Sequence, residues 1–369
     1  MEFFATAAKG TEPALRDELR ALRFRGVRAD RGGVHFAGEL RDGFRACLWS
    51  RVAVRILTPL ARFPAPTGDA LYEGASTIDW SPYLDAQRTL VVSSACKSSA
   101  LTHTQFVAQR TKDAIVDRLR ARDGARPSVD RDDADVHVFV HLVRDEACVY
   151  LDLAGEPLHR RGWRASAREA PLKETLAAAV LLLSGYDGST DLLDPMCGAG
   201  TLVIEGAMIA RRIAPGSFRA RFGCERWKSH GDGEARELRV LRQEARDGVR
   251  PDGPEIFGSD IDPDAIAVTA ENAARAGVTL RLAERSLDDC HPPIDEGTLV
   301  TNPPYGVRIH GEGDVPRDLA GLVDRLAGFR VGLLAGGPDL VRHVRRRAEK
   351  ALVLYNGDLE CRLVRYAPA

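Results

Sequence analysis

Residues 297–304 read Gly-Thr-Leu-Val-Thr-Asn-Pro-Pro, a short and mostly apolar run stopped by two consecutive prolines. Proline has no N–H to give a ladder, so the run cannot continue as a helix or as a central strand. It reads as a buried parallel strand that ends at the mouth of an α/β sheet, where ligands bind in such folds. Residues at its tip then face a substrate. Asn302-Pro303-Pro304-Tyr305 suits an amine carried on a flat ring. The Asn302 carboxamide oxygen and the Pro303 carbonyl can each accept one N–H, while Tyr305 can stack on the ring. Two acceptors on one NH₂ group hold it and draw its lone pair out of the ring. The competing reading of the same residues is a rigid turn after a strand.

The strand-then-loop pattern recurs on either side. Asp191-Leu192-Leu193-Asp194 reads as a strand that runs into Pro195-Met196-Cys197-Gly198-Ala199-Gly200-Thr201 and then a helix to about Ile213. A glycine-rich turn between strand and helix lets a ligand approach the backbone and reach the helix N–H groups. This one lacks the Gly-Lys-Ser/Thr ending of a phosphate loop and the spacing of a dinucleotide fingerprint. Ile256 to Pro263 is a strand ending in acid, in which Asp260 can accept both hydroxyls of a ribose and Asp262 fits better as the cap of a helix running to Gly277. Leu280–Leu282, residues 297–301 and Val331–Ala335 supply further strands, and Ala351–Tyr355, Asn356-Gly357 and Leu359–Tyr366 a closing hairpin. A helix opened at Pro171 and running through Leu176, Val180 and Leu183 precedes them all. The pattern predicts a doubly wound α/β sheet over the second half. Arg342, Arg345, Arg346 and Arg347 are expected late in a helix, where carbonyl ends favour cations.

The first half reads differently. Strand, helix and strand fall within its first 40 residues, a second helix spans about Glu39 to Ser50, and Val52–Thr58 alternates as a strand. From Asp69 the pattern repeats, ending in the strands Val136–Val143 and Ala147–Leu153 around a turn at Arg144-Asp145-Glu146. Two small α+β units are expected. Residues 1–169 hold 26 Lys and Arg against 23 Asp and Glu, a net of +3, while residues 170–369 hold 26 against 30, a net of −4. The first half is therefore the better candidate for touching phosphate, and Leu158 to Arg164, dense in arginine, for a linker that also meets RNA backbone. Seven scattered cysteines without a Cys-x-x-Cys pair argue for reduced thiols and against a zinc site. No run reaches the roughly 18 apolar residues of a membrane span, and residues 1–5 do not read as a signal peptide, so a cytoplasmic protein is expected.

The loop at Asp194 to Thr201, the acid at Asp260 and the tetrapeptide at Asn302 to Tyr305, in that order, resemble the cofactor loop, ribose acid and amine-methylating motif of class I S-adenosylmethionine-dependent methyltransferases. More narrowly, Ala170-Pro171-Leu172-Lys173-Glu174-Thr175-Leu176-Ala177, Asp194 to Thr201 and Asn356 to Leu363 resemble the RlmL-type guanine-N2 RNA methyltransferases. The resemblance implies a ferredoxin-like segment over residues 1–57, a THUMP-like RNA-binding domain over 58–155, a basic linker over 156–169 and a Rossmann-like methyltransferase domain over 170–369, its mostly parallel seven-stranded sheet closed by a hairpin. It implies S-adenosyl-L-methionine as cofactor, held by Asp194, Pro195, Cys197, Gly198, Gly200, Thr201, Asp260, Ile261, Asp288 and Asn302, with no metal. Asn302, Pro303, Pro304 and Tyr305 become the catalytic group. The implied partner is structured RNA, large-subunit ribosomal RNA ahead of transfer RNA. One departure concerns the adenine amine: Ser286 occupies the usual acid position, leaving Asp288 or Asp289 to serve. Longer bacterial relatives fuse a second methyltransferase, and the chain, ending at Ala369, is expected to lack that activity.

The implied chemistry is direct transfer without a covalent nucleophile, so that Cys197 has a packing or backbone role. Proximity and alignment alone can supply as much as roughly 7–11 kcal/mol. Three other readings compete: a glutamine-amide protein methyltransferase, which would not need the first 150 or so residues; a DNA adenine methyltransferase, whose target-reading insertion is not evident; and a non-catalytic RNA-binding protein, against which stand the intact Gly198, Asp260 and Asn302.

Overall fold

The computed structural model describes residues 1–164, 172–304 and 314–369, so the readings that fall on Ala170, Pro171 and Tyr305 lie outside the described residues. In the first half, β1 (Glu2–Thr6), α1 (Glu12–Ala21), β2 (Arg25–Asp30), β3 (Gly33–Ala37), α2 (Leu40–Trp49) and β4 (Arg55–Pro64) are followed by α3 (Gly68–Thr77), β5 (Thr89–Lys97), α4 (Thr104–Asp123), β6 (Ser128–Val129), β7 (Val136–Val143) and β8 (Glu146–Asp152). These strands form one continuous eight-stranded sheet in the order β2-β3-β1-β4-β8-β7-β5-β6. The two α+β units meet edge to edge where β4 pairs with β8. Strand alternation decides what each face carries. In β7, Val136, Val138, Val140 and Leu142 are fully buried against the helices, while His137, Phe139 and His141 point to the other face. Arg144 and Asp145 both take positive φ, as the tight turn between β7 and β8 requires.

One boundary differs from expectation for a physical reason. The strand expected from Val52 begins at Arg55, because the preceding N–H groups are taken by a side chain. Glu18 accepts from Arg51 N at 2.7 Å and from the Ser50 hydroxyl at 2.6 Å, which turns the chain before it can join the ladder.

The second half continues with α5 (Glu174–Leu183), β9 (Leu192–Asp194), α6 (Thr201–Ala210), α7 (Asp232–Asp247), β10 (Ile256–Asp260), α8 (Pro263–Arg275), β11 (Arg281–Glu284), β12 (Glu296–Thr301), α9 (Val315–Arg325), β13 (Gly328–Ala335), β14 (Ala348–Asn356) and β15 (Leu359–Tyr366). Their sheet runs β11-β10-β9-β12-β13-β15-β14. The first five strands are parallel, and β15 lies antiparallel between β13 and β14. The chain winds outward from β9 in both directions, so the gap beyond β9 and β12 is the topological switch point. Among the described residues no helix is long and apolar enough to cross a membrane.

Two findings correct the sequence reading. Arg342 to Arg347 do not lie late in a helix: a single 3-10 turn at Pro338–Val341 leads almost directly into β14. Arg346 still meets carbonyl ends, but those of α9, donating to Val323 O at 2.7 Å and to Leu326 O. The other is α7, which sequence reading left unassigned. Its Leu238, Leu241 and Ala245 pack in the core of the first half together with Phe222, Cys224 and Trp227, so the two halves share one apolar core.

Candidate active site

Three adjacent strand tips meet at the switch point. Asp194 ends β9, Asp260 ends β10, and Asn302 follows β12; the ladder sets Asp194 beside Gly258 and Leu193 beside Leu299. Asp194 is buried at 2% exposure and accepts Met196 N at 3.1 Å, so its carboxylate shapes the first turn of the glycine loop. Burial pushes its carboxyl up to about 7, helped by the nearby Asp260 charge and opposed by the neighbouring Thr301 hydroxyl and the Met196 N–H. Pro195 is buried behind it.

The loop itself is held by backbone contacts. Cys197 N donates to Ser259 O at 2.9 Å, and Gly198 N donates to Asp260 Oδ2 at 2.8 Å. Gly198 has φ +54° with open space where a Cβ would stand, which leaves its backbone approachable. Gly200, at φ +81°, has the opposite environment: a Cβ there would meet Thr269 Cγ2 at 2.6 Å, so this glycine lets α6 start against α8. Cys197 is buried, its thiol pushed up by desolvation, and its Sγ lies 4.0 Å from Thr269 Oγ1. That is a packing environment and not one that makes a thiolate nucleophile. Thr201 opens α6, and its hydroxyl accepts from Arg164, which also pairs with Glu174 at 2.8 Å.

Asp260 and Asp262 separate as their surroundings dictate. Asp262 caps α8 by accepting Asp264 N at 2.9 Å. Asp260 tethers two N–H groups, those of Gly198 and Asp262, at the loop's edge. Next to it Ile261 stands 73% exposed, an apolar side chain at a strand tip with nothing over it. Beyond β11, Asp289 is occupied by the Ser286 hydroxyl at 2.8 Å, whereas Asp288 lies exposed. Asn302 and Pro304 are half-buried and Pro303 is buried. The structure therefore brings Asp194, Pro195, Cys197, Gly198, Gly200, Thr201, Asp260, Ile261 and Asn302 to the neighbouring ends of β9, β10 and β12, with Asp288 a few residues beyond the end of β11.

Sequence reading missed two residues that hold the glycine loop. Thr269 Oγ1 donates to Gly198 O at 2.7 Å, and Asn272 Nδ2 to Ala199 O at 3.0 Å. Both are fully buried three apart on one face of α8, and nothing local in the sequence marked them. An approachable glycine backbone, a carboxylate and an exposed apolar side chain at neighbouring tips suit a nucleoside, which offers hydroxyls and a flat base but no phosphate. Among the described residues no three His, Cys, Asp or Glu side chains gather as a metal site.

Comparison with known proteins agrees with this layout. Residues 161–365 match the family described as RMKL-like, methyltransferase domain; residues 2–57 match the RlmL ferredoxin-like domain and residues 66–152 the THUMP domain. Proteins named ribosomal RNA large subunit methyltransferase K/L are similar throughout: that of Syntrophotalea carbinolica is 43% identical over 99% of the chain and 53% of its own length, and that of Methylococcus capsulatus 44% over 98% and 50%. The chain thus spans about half the length of these curated relatives. Among solved structures, one from Listeria monocytogenes, named by prediction as an N6-adenine-specific DNA methylase, shares 30% identity at a TM-score of 0.88, covering 100% of this chain and 96% of that one. Another, a candidate methyltransferase solved with SAH, shares 29% at 0.87 over 100% and 98%.

Proposed function

The chain belongs to the RMKL-like methyltransferase family, and from that premise we propose that it transfers a methyl group from S-adenosyl-L-methionine to the exocyclic N2 of a guanosine in large-subunit ribosomal RNA. The observation that carries the reading is the meeting of three strand tips, where a loop with an approachable backbone at Gly198 stands beside Asp260 and the Asn302-Pro303 pair of acceptors. The relatives' names supply the choice of RNA, and the matches to RlmL ferredoxin-like and THUMP domains supply a module to hold it.

S-adenosyl-L-methionine, when bound, supplies a methyl group already made electrophilic by its sulfonium. What remains for the protein is positioning and exclusion of water. Asp260 would hold the ribose hydroxyls, Ile261 would offer an apolar surface to the adenine and Asp288 would accept its amine. The loop from Asp194 to Thr201 shapes the bed, with Pro195 and Cys197 behind it. Asn302 and the Pro303 carbonyl hold the target amine, Pro304 stiffens the turn, and Tyr305 replaces the stacking that the base gives up on leaving its helix. The proton released from the amine passes to water.

The same tetrapeptide chemistry admits adenine N6, which the name of the Listeria neighbour also suggests. One assay separates the readings. Purified protein with labelled S-adenosyl-L-methionine is given protein-free large-subunit RNA lacking the modification, and the digested nucleosides are analysed by mass spectrometry. N2-methylguanosine is expected; label on adenosine, on transfer RNA alone or on protein overturns the proposal.

A further inference from the structure

The face of the eight-stranded sheet turned away from α1 to α4 carries a continuous row of rings. His35 on β3 lies 4.7 Å from Phe4 on β1, Phe4 lies 6.4 Å from Tyr150 on β8, Tyr150 lies 6.5 Å from Phe139 on β7, and Phe139 lies 6.4 Å from His141. Phe4, Tyr150 and Phe139 join Leu57 and Cys148 in an apolar cluster separate from the main core. The row borders a hollow of about 680 Å³. Around that hollow stand Arg31, Arg62, Lys97 and Arg144 against only two acids, Asp30 and Glu146. Both acids are already engaged, Asp30 by His35 at 3.2 Å and Glu146 by Arg62 at 3.0 Å. The cationic heads of Arg31, Lys97 and Arg144 are exposed and have no side-chain partner among the described residues.

Rings on an open sheet flanked by unpaired cations make two demands at once, flat π-faced groups and a line of negative charge. A protein partner meets the first, a duplex the second, and a single-stranded nucleic acid segment both, with bases on the rings and phosphates on the cations. We propose that this face binds a single-stranded segment of the substrate RNA, the half-buried Phe4 and Phe139 serving as the stacking platform, with the buried Tyr150 packed between them, and Arg31, Lys97 and Arg144 as phosphate contacts. The inference rests on the reading that the chain acts on RNA and adds to it where the RNA lies outside the catalytic opening.

The test measures binding of full-length protein to protein-free large-subunit RNA and to a short oligouridylate across a salt series. Two variants are compared: Arg31→Gln/Lys97→Gln/Arg144→Gln, which touches only exposed heads, and Phe4→Leu/Phe139→Leu, which keeps apolar bulk and removes the ring faces. For the triple variant, affinity for both RNAs falls and the slope of log K against log salt drops by about 2, from about 0.7 per lost phosphate contact on a single strand. The ring variant binds oligouridylate about tenfold or more weakly. Both keep wild-type affinity for S-adenosyl-L-methionine; the triple variant keeps the wild-type Tm, and the ring variant stays folded with a lowered Tm because two ring contacts are lost. Wild-type RNA affinity and salt slope in both variants, while the parent protein binds and methylates the RNA, overturn this inference alone. Failure of the parent protein to bind either RNA overturns the RNA reading with it. A parent protein that sediments as a dimer, which the variants dissociate, assigns the face to a second copy and overturns the inference.

Discussion

Asp194 and Asp260 are the same functional group at two adjacent strand tips, in different surroundings. Asp194 is sealed in, and its carboxyl sits near 7, above the ordinary aspartate value of 3.8. A carboxyl raised on folding binds its proton more tightly in the native state than in the unfolded chain, so its contribution is complete below about pH 4 and is lost as pH climbs to about 7. Asp194→Asn lacks that titration. Its Tm relative to the parent protein should therefore rise between pH 4 and pH 7, by the equivalent of at most about 4 kcal/mol for a three-unit shift. A Tm difference that does not change with pH would refute the buried, protonated Asp194. Asp260 is half-exposed and tethers Gly198 and Asp262. If it also takes both ribose hydroxyls, Asp260→Ala weakens S-adenosyl-L-methionine binding ten- to a hundredfold, about 1.5–3 kcal/mol by calorimetry. Unchanged affinity would place the ribose elsewhere. Asn302→Ala should do the reverse, leaving cofactor affinity intact while single-turnover methylation falls about a hundredfold or more. Near-normal turnover would remove Asn302 from the chemistry.

At the scale of elements, two glycines two residues apart do different jobs. A methyl at Gly200 would press on Thr269 and part α6 from α8, whereas a methyl at Gly198 would meet nothing. Both take positive φ, which costs an alanine about 1–2 kcal/mol at either position. Gly200→Ala adds overpacking of about 1–3 kcal/mol and should lower Tm more than Gly198→Ala does. Gly198→Ala should instead lose more cofactor affinity than stability, since its methyl occupies the approach to the backbone. Equal Tm losses in a thermal shift series would contradict this division. The glycine loop, the acid tip and the Asn-Pro-Pro stop were legible in sequence because each combines a breaker with a short apolar run, and local chemistry determines both. The buried polar pair Thr269 and Asn272 was not, because its purpose is to meet carbonyls some 70 residues away in the chain. The helix α7 escaped for a similar reason. Only three of its residues reach a core, and that core belongs to the other half. The Arg342–Arg347 cluster misled in the opposite way: one of its cations, Arg346, does find a helix end, but one that tertiary packing brings to it.

For the molecule as a whole, the joint between the halves includes a cluster of buried charge. Arg161 is 2% exposed and Glu205, on α6 just beyond the glycine loop, is fully buried. The Arg161 guanidinium donates to both Glu205 oxygens, at 3.0 and 3.3 Å, and also to Leu158 O and Arg51 O. Arg51, from the end of α2, reaches back to Met208 O and Ile213 O around the end of α6. One cluster thus ties the first half, the segment between the halves and the helix that starts at the glycine loop. A buried pair contributes little net stability while intact, but removing one partner leaves the other as an uncompensated buried charge, at a cost of about 3–5 kcal/mol. Over 369 residues, with an unfolding entropy of about 2.1 cal/mol/K per residue, that is a Tm loss of about 5 °C. Glu205→Ala should show it. Replacing both partners, as in Arg161→Met/Glu205→Leu, should restore most of the Tm because no charge remains buried. If the pair also sets the angle between RNA and cofactor, the double variant regains stability and keeps cofactor affinity but not the full rate of RNA methylation. Glu205→Ala as stable as the parent protein would mean that water reaches Arg161 and that the halves are not locked there. A double variant with full activity would mean that the lock is structural and does not guide the substrate.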